Sequence, residues 1–270
     1  MDFKKITEVL VTAKAVQYVM IAVLLIGAFF LPRLAVKQET EAAGQEETVE
    51  VQQLKDSQQS GGDVQAAKGT IVLDPGHGGD DPGMIGAGGI NEKKLNLIYA
   101  KKLQALLEAE GYRVVLTRET EEGLYDVDAA HKKAQDMQRR VAIIAEEAPL
   151  ITVSIHQNSY QDPAVGGPQV FYYENSAEGQ KLAKSIQDSM NSELSEARSR
   201  VEKSNSSYYI LKRSQGTTVI VECGFLSNPE EEARLQEEAY QDRVCASVCA
   251  GILQYLDEYS EMGRIVPSQT

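Results

Sequence analysis

The amino-acid sequence predicts an α/β fold: a single domain with a mostly parallel twisted sheet flanked by helices, preceded by a transmembrane anchor helix. Short apolar runs alternate with amphipathic helical stretches between about residues 70 and 259, and this alternation is typical of parallel sheets. Three of the apolar runs end in a polar residue that can bind a metal or carry a proton. Because open α/β sheets place ligands at the carboxyl ends of strands, these endings indicate a functional site.

The predicted strands and helices follow one another in a regular order. Apolar and β-branched residues cluster where strands are predicted, at 71–73, 113–118, 150–156, 169–173 and 217–222. Apolar residues recur at helical spacing where helices are predicted, at 92–110, through 137–144, at 177–194 and at 228–259. Gly111 is a typical stop for the first helix. The segment between the third helix and the last strand is predicted to be a polar connector that reaches 208–211.

The amino-terminal end predicts attachment to a membrane. No charged residue occurs between positions 15 and 32, and residues 15–36 together supply the roughly 20 residues that a helical span needs. Arg33 can extend its charge towards the membrane interface. We expect an uncleaved anchor with residues 1–14 in the cytoplasm; the alternative is a removed signal peptide, which would leave a secreted protein.

An acidic linker and a catalytic domain are expected to follow the anchor. The stretch 38–63 contains seven acidic residues and the single base Lys55, so residues 37–68 are predicted to be disordered, because they cannot offset their ordering entropy by burial. The catalytic domain is predicted at 69–260, followed by a tail at 261–270. A formal net charge of −13 argues against a nucleic-acid partner. The three cysteines lack the spacing of a disulfide framework or a zinc-thiolate site.

Two histidines at strand ends are the first candidate site residues. His77 lies in the segment LDPGHGG, whose glycines let the backbone turn tightly. His156 ends the apolar run LITVSIH. Two neutral imidazoles and one carboxylate around an open position are typical of catalytic zinc, which indicates both histidines as ligands. The alternative is a pair of hydrogen-bonded loop histidines.

Two carboxylates are the next candidate site residues, one as the third metal ligand and one as the catalytic group. Glu92 opens the helix beyond the glycine loop and can fold back onto His77; three acids lie nearer in sequence, namely Asp74, Asp80 and Asp81. Glu222 ends an apolar strand with no adjacent base. A buried unpaired carboxylate is costly unless a metal, hydrogen bonds or a raised pKa accommodates it, and such an environment suits a proton shuttle. The alternative is a glutamate hydrogen-bonded to the following helix.

Four motifs in a fixed order carry a family resemblance. LDPGHGG, INEKKLNL, VSIHQNS and VECGFLSNPEE resemble the motifs of the zinc-dependent N-acetylmuramoyl-L-alanine amidases of bacterial cell-wall hydrolysis, over about residues 70–259. The resemblance implies that His77, Glu92 and His156 bind one Zn²⁺ and that Glu222 is the catalytic carboxylate. It also implies hydrolysis of the amide bond between the lactyl group of N-acetylmuramic acid and the L-alanine of the peptidoglycan stem peptide.

The same resemblance implies substrate-binding residues. Arg118 and Arg140 match arginines that orient loops or contact the carboxylates of the stem peptide, and a surface ion pair is the alternative. Asn158 is expected to bind the substrate or to fix its own loop.

The anchored single-domain layout is similar to that of sporulation amidases in this family. It implies action on the spore cortex, in muramic δ-lactam formation, on the extracytoplasmic side of the membrane, with an accessory lipoprotein as a further partner beside peptidoglycan. Two other functions fit the same residues. One is a zinc peptidase that cuts within the stem peptide; the other is a catalytically silent wall-binding or activator protein of the same fold.

Overall fold

A six-stranded mixed sheet forms the centre of residues 67–261 and 263, which are the residues that the computed structural model describes. The strands are β1 (Thr70–Pro75), β2 (Arg113–Leu116), β3 (Ile151–Asn158), β4 (Gln169–Tyr173), β5 (Lys203–Asn205) and β6 (Thr217–Phe225). Their order in the sheet is β2-β1-β3-β6-β4-β5. Strands β2, β1, β3 and β6 are parallel to one another, whereas β4 is antiparallel to β6 and parallel to β5.

Helices cover both faces of the sheet. They are α1 (Glu92–Ala109), α2 (Lys132–Glu147), α3 (Ala177–Glu193), α4 (Tyr209–Arg213), α5 (Pro229–Leu235) and α6 (Glu238–Glu261). In β1, Ile71 and Leu73 pack into a large cluster with α1, α3 and α6, while Val72 packs with Ile144 of α2 and Ile210 of α4. The continuous apolar runs of the sequence therefore reflect strands that are buried on both faces.

The predicted α/β class is confirmed for the described residues. The sheet is flanked by helices and mostly parallel as expected, and β4 against β6 is its one antiparallel pair. Only residues 159–168 connect β3 to β4, and they contain no helix to return the chain to the starting edge of the sheet. The strand that follows must therefore run in the opposite direction. The predicted polar connector also contains the short elements β5 and α4.

The predicted segments 1–14 and 15–36, and residues 37–66 of the predicted linker, lie outside the described residues. So does most of the predicted tail at 261–270. Among the helices that the structure does describe, none combines the length and the apolar character that a membrane span requires.

Candidate metal centre

Three neighbouring parallel strands bring the candidate site residues to one edge of the sheet. Strands β1, β3 and β6 lie side by side, so their carboxyl ends meet. His156 of β3 is directly opposite Glu222 of β6 in the register, and His77 follows the end of β1 by two residues. The predicted convergence of the three strands is confirmed, but β3 continues to Asn158 and β6 to Phe225, so His156 and Glu222 lie shortly before the strand ends rather than at them.

The backbone at His77 adopts an unusual conformation. Its φ angle is 62°, in the left-handed region that residues with a side chain seldom occupy. Such conformations persist only where the surroundings hold them, and they cluster at functional sites. Two glycines follow with φ angles of 143° and 56°, so the glycine-rich loop turns sharply enough to direct the His77 ring back towards the sheet edge.

His77, Glu92 and His156 form a group that could hold a metal ion. One ligand atom from each residue lies within 4.8 Å of the other two. Glu92 Oε2 lies 3.2 Å from His77 Nε2, and Glu92 Oε1 lies 2.9 Å from His156 Nδ1. The two rings meet edge to face, with their centroids 5.0 Å apart. Two imidazoles and a carboxylate are a donor set that suits zinc with an open coordination position.

The three acids that compete with Glu92 in the sequence occupy other positions. Asp81 lies 3.0 Å from His77 Nδ1, the ring nitrogen that faces away from Glu92, where it can orient the imidazole. Asp80 is exposed and forms an ion pair with Lys132 at 2.6 Å. Asp74 is buried and pairs with an arginine.

Two glycines leave the space that the group occupies. A Cβ atom on Gly76 would lie 2.1 Å from Cε1 of His156, and one on Gly83 would lie 2.5 Å from Oε2 of Glu92. Neither distance is compatible with a side chain. Gly76 and Gly83 are therefore required because the side chains of His156 and Glu92 approach the backbone closely at these positions.

Hydrogen bonds hold Glu92 in its ionised form. The residue is 4% exposed, and its carboxylate accepts from the backbone N–H groups of Met84 at 2.8 Å and Gln157 at 3.2 Å. Burial raises the pKa of Glu92, but the contacts with His156 and His77 outweigh it and hold this pKa far below its ordinary value. For His156, burial lowers the pKa, while the Glu92 carboxylate raises it overall.

Glu222 is a buried carboxylate with an unsatisfied oxygen. It is 7% exposed, and its Oε2 atom has no hydrogen-bond partner within the described part of the chain. Burial raises its pKa to about 7, with Glu92 acting in the same direction and His156 against it. Glu222 lines a cleft of about 840 Å³ together with the three residues of the metal-competent group. The predicted environment of an unpaired buried acid is confirmed.

Arg140 is buried in a network beneath the His77 loop. It is 1% exposed, and it donates to Asp74 Oδ1 at 2.6 Å and to Asp136 Oδ2 at 2.5 Å. It also donates to the carbonyl oxygens of Pro75 at 2.8 Å and His77 at 2.6 Å. Burial lowers the pKa of Arg140, but the carboxylates of Asp74 and Asp136 outweigh it and raise this pKa above its ordinary value.

Arg118 holds the same loop from a second direction. It is 3% exposed, and it donates to the carbonyl oxygens of Pro75 at 2.9 Å, Gly76 at 2.9 Å and Lys93 at 2.8 Å. Burial and the nearby Arg140 charge lower its pKa to about 10. The surface ion pair considered for the two arginines is wrong, because both side chains are buried. Their contacts fit loop orientation, whereas their contact with substrate stays a prediction that this burial opposes.

The structure places Asn158 at the cleft and adds residues that the sequence did not single out. Asn158 ends β3, lines the cleft and accepts from the Ser159 N–H at 2.8 Å, so its role stays a prediction. Tyr208 also lines the cleft, in the segment predicted as a connector.

The sequence contains one signal for the role of Asp136 as a partner of Arg140. Asp136 lies one helical turn before Arg140, a spacing typical of a helical ion pair.

Two histidines, a glutamate and a buried acid at the edge of a parallel sheet are an arrangement typical of metal-dependent hydrolases. Residues 71–254 match the model of the N-acetylmuramoyl-L-alanine amidase family. The chain belongs to this family and is an N-acetylmuramoyl-L-alanine amidase. The family resemblance seen in the sequence is confirmed.

Individual relatives agree with the family assignment. The germination-specific N-acetylmuramoyl-L-alanine amidase of Bacillus subtilis (strain 168) is 37% identical over 191 residues, which are 70% of this chain and 80% of the relative. A solved structure of the CwlD amidase from Clostridioides difficile in complex with the GerS lipoprotein is 34% identical, with a TM-score of 0.68 over 70% of this chain and 99% of that chain. The amidase AmiC2 of Nostoc punctiforme is 32% identical, with a TM-score of 0.62 over 71% and 99% of the two chains.

Proposed function

We propose that the amidase depends on one Zn²⁺ bound by His77, Glu92 and His156. The observation that carries the proposal is the placement of one donor atom from each residue within 4.8 Å of the others. The backbone N–H groups of Met84 and Gln157 support it, because they bind the ionised carboxylate of Glu92 that a metal ligand requires. When bound in such a site, zinc supplies a Lewis acid for the scissile carbonyl and lowers the pKa of a water.

Glu222 is the proposed general base and then the general acid. Its carboxylate accepts a proton from the attacking water as the new C–O bond forms at the lactyl carbonyl carbon. It then delivers this proton to the alanine nitrogen as the C–N bond breaks, which releases a free lactyl carboxylate and a peptide amine. Burial raises the pKa of Glu222 above its ordinary value, and a raised pKa suits both transfers, since a catalytic group works best when its pKa lies near the operating pH.

The biological setting is proposed from the relatives. The germination-specific name of the Bacillus subtilis relative supports a role in germination. We propose spore-cortex peptidoglycan as the substrate, on the route to muramic δ-lactam that the family resemblance implies. Because the solved CwlD structure contains the GerS lipoprotein, we propose an accessory lipoprotein as a partner of this chain too. Action on cell-wall material requires an extracytoplasmic location, and the segment 15–36 is the proposed membrane anchor. The family assignment favours the amidase over the stem-peptide peptidase and the silent activator.

The roles of the site residues can be tested on the purified full-length chain. His77→Ala is expected to lose bound zinc, while Glu222→Gln keeps zinc and loses turnover by at least about a hundredfold. His131→Ala is the matched control, because His131 is exposed and should leave both quantities unchanged. Zinc is measured per chain by elemental analysis, and turnover by mass spectrometry of digested muropeptides.

The products and the variants together can contradict the proposal. The amidase yields muramic acid with a free lactyl carboxylate and an intact released peptide, whereas cleavage within the peptide would identify the peptidase. Full turnover by Glu222→Gln would remove that residue from the mechanism. Normal zinc content in His77→Ala would remove the metal centre.

A further inference from the structure

Helix α5 begins with two buried glutamates that the catalytic mechanism does not use. Glu230, Glu231 and Glu232 follow Pro229 in the first turn; Glu230 is exposed, whereas Glu231 and Glu232 are each 4% exposed. Acidic residues often occupy the first turn because they interact favourably with the helix dipole. That explanation fits Glu230, but the side chains of Glu231 and Glu232 bind backbone groups that lie outside the helix.

Glu232 binds the loop that precedes the candidate metal ligand Glu92. Both of its carboxylate oxygens accept from the Gly88 N–H, at 2.9 and 2.8 Å, across 144 positions of sequence. The loop containing Gly88 is rich in glycine, and its side chain Ile85 is 55% exposed, so apolar packing does little to fix the loop tip. The loop is in turn joined to Glu92, whose N–H donates to the Met84 carbonyl at 2.9 Å and whose Oε2 accepts from the Met84 N–H at 2.8 Å.

Glu231 binds the end of the strand that carries Glu222. Its Oε2 accepts from the N–H of Phe225 at 2.7 Å, and Phe225 is the last residue of β6, three positions after Glu222. Its Oε1 accepts from the N–H of Gly167 at 2.6 Å, just before β4. One carboxylate therefore fixes two segments at the edge of the sheet beside the cleft.

Glycines leave the space that these carboxylates fill. A Cβ atom on Gly86 would lie 2.2 Å from Glu232 Oε1, and one on Gly166 would lie 2.6 Å from Glu231 Oε1. The loops pack directly against the two carboxylates, so the glutamates are built into the structure of the site.

We propose that Glu231 and Glu232 are positioning residues that fix the two carboxylates of the site from a single helical turn. Glu232 holds the loop that presents Glu92, and Glu231 holds the strand end that presents Glu222. Bonds from N–H groups to an ionised carboxylate are about twice as strong as neutral hydrogen bonds, which suits them to hold a glycine-rich loop. The inference rests on the proposed roles of Glu92 as a zinc ligand and Glu222 as the catalytic carboxylate.

Separate readouts are expected for the two glutamates in the purified full-length chain. Glu232→Ala should weaken zinc binding about tenfold, as is typical when a group that supports a ligand is lost, measured by competition with a chromophoric chelator. Glu232→Gln keeps an acceptor oxygen for Gly88 and should recover part of this affinity. Glu231→Ala should lower kcat at saturating zinc while zinc affinity changes less than twofold. Glu230→Ala is the matched control and should change neither quantity.

A double-variant experiment separates positioning from general loss of folding. Gly86→Ala introduces a Cβ that meets the Glu232 carboxylate, so it should weaken zinc binding when Glu232 is present. In the Glu232→Ala background the obstructing carboxylate is gone, and Gly86→Ala should cause no additional loss. Additive losses would show that the two positions act independently and would overturn the proposal.

The outcomes also distinguish this inference from the proposed function. Equal zinc affinity in Glu232→Ala and Glu230→Ala, with normal binding by the unaltered chain, would overturn the role of Glu232 alone. An unaltered chain that binds no zinc would refute the proposed metal centre, and the positioning role would fall with it. A loss of kcat in Glu231→Ala that Glu230→Ala reproduces would overturn the role of Glu231.

Discussion

Replacement of Arg140 by methionine tests how much the buried ion pair beneath the His77 loop stabilises the domain. The substitution keeps most of the side-chain volume but removes the charge from a guanidinium that is 1% exposed. Asp74, also 1% exposed, would lose its ion pair at 2.6 Å. Loss of one partner of a buried pair costs about 3 to 5 kcal/mol, because the remaining charge is left uncompensated.

Asp136 loses its bond to the same guanidinium, but it still accepts from the Leu124 N–H at 2.7 Å. The contacts that remain to both acids place the expected loss at the lower end of this range. Asp74 still accepts from the hydroxyl groups of Thr117 and Ser154, each at 2.6 Å. We therefore expect Arg140→Met to lower the free energy of unfolding by about 3 kcal/mol, and Arg140→Lys to lower it by less, because a lysine keeps the charge but not the planar fork of donors.

The assay is urea denaturation, with the midpoint and the slope of the transition fitted for each variant. Adding Asp74→Asn to Arg140→Met should recover part of the loss, because the uncompensated charge is then absent. A loss below about 1 kcal/mol in Arg140→Met, or no recovery in the double variant, would refute the idea that this buried pair stabilises the domain.

Three further predictions concern pH, close approach and helix packing. Burial opposes ionisation of Asp74, but its ion pair and hydrogen bonds hold its pKa at about 2 against an ordinary value of 3.8. The ionised Asp74 carboxylate therefore contributes about 2 kcal/mol to the free energy of unfolding above pH 4, and this contribution is lost as the pH falls to 2. Urea titrations across this range should show the loss. An equal loss of stability in Asp74→Asn would contradict its assignment to Asp74. Gly76→Ala should reduce zinc content because its Cβ would lie 2.1 Å from the His156 ring; full zinc content by elemental analysis would show that the ring has room to move. Gly251→Ala should destabilise the domain by about 1 to 3 kcal/mol, since its Cβ would lie 2.5 Å from the Ile186 Cα where α6 crosses α3, and an unchanged urea midpoint would be inconsistent with that contact.

Much of the site's location could be predicted because strand ends are marked locally in the sequence. His156 and Glu222 each end an apolar run, and the parallel arrangement of β3 and β6 places them opposite each other. His77 follows the first run within a glycine-rich turn. Hydrophobic pattern and turn chemistry act over a few residues, so they are readable without the fold. The proposed zinc and proton-transfer roles of these residues stay predictions.

The alternation of strands and helices, the family and the three strands that converge at the site are all readable from the amino-acid sequence. Three contacts could be seen only in the folded chain: Glu92 lies within reach of both histidines, Arg140 binds the backbone of the His77 loop, and Glu232 binds Gly88 across 144 positions. The direction of β4 likewise depended on its pairing with β6. Strand and turn propensities are local, whereas the partner of a buried charge depends on which distant segments the packed core brings within a few ångströms.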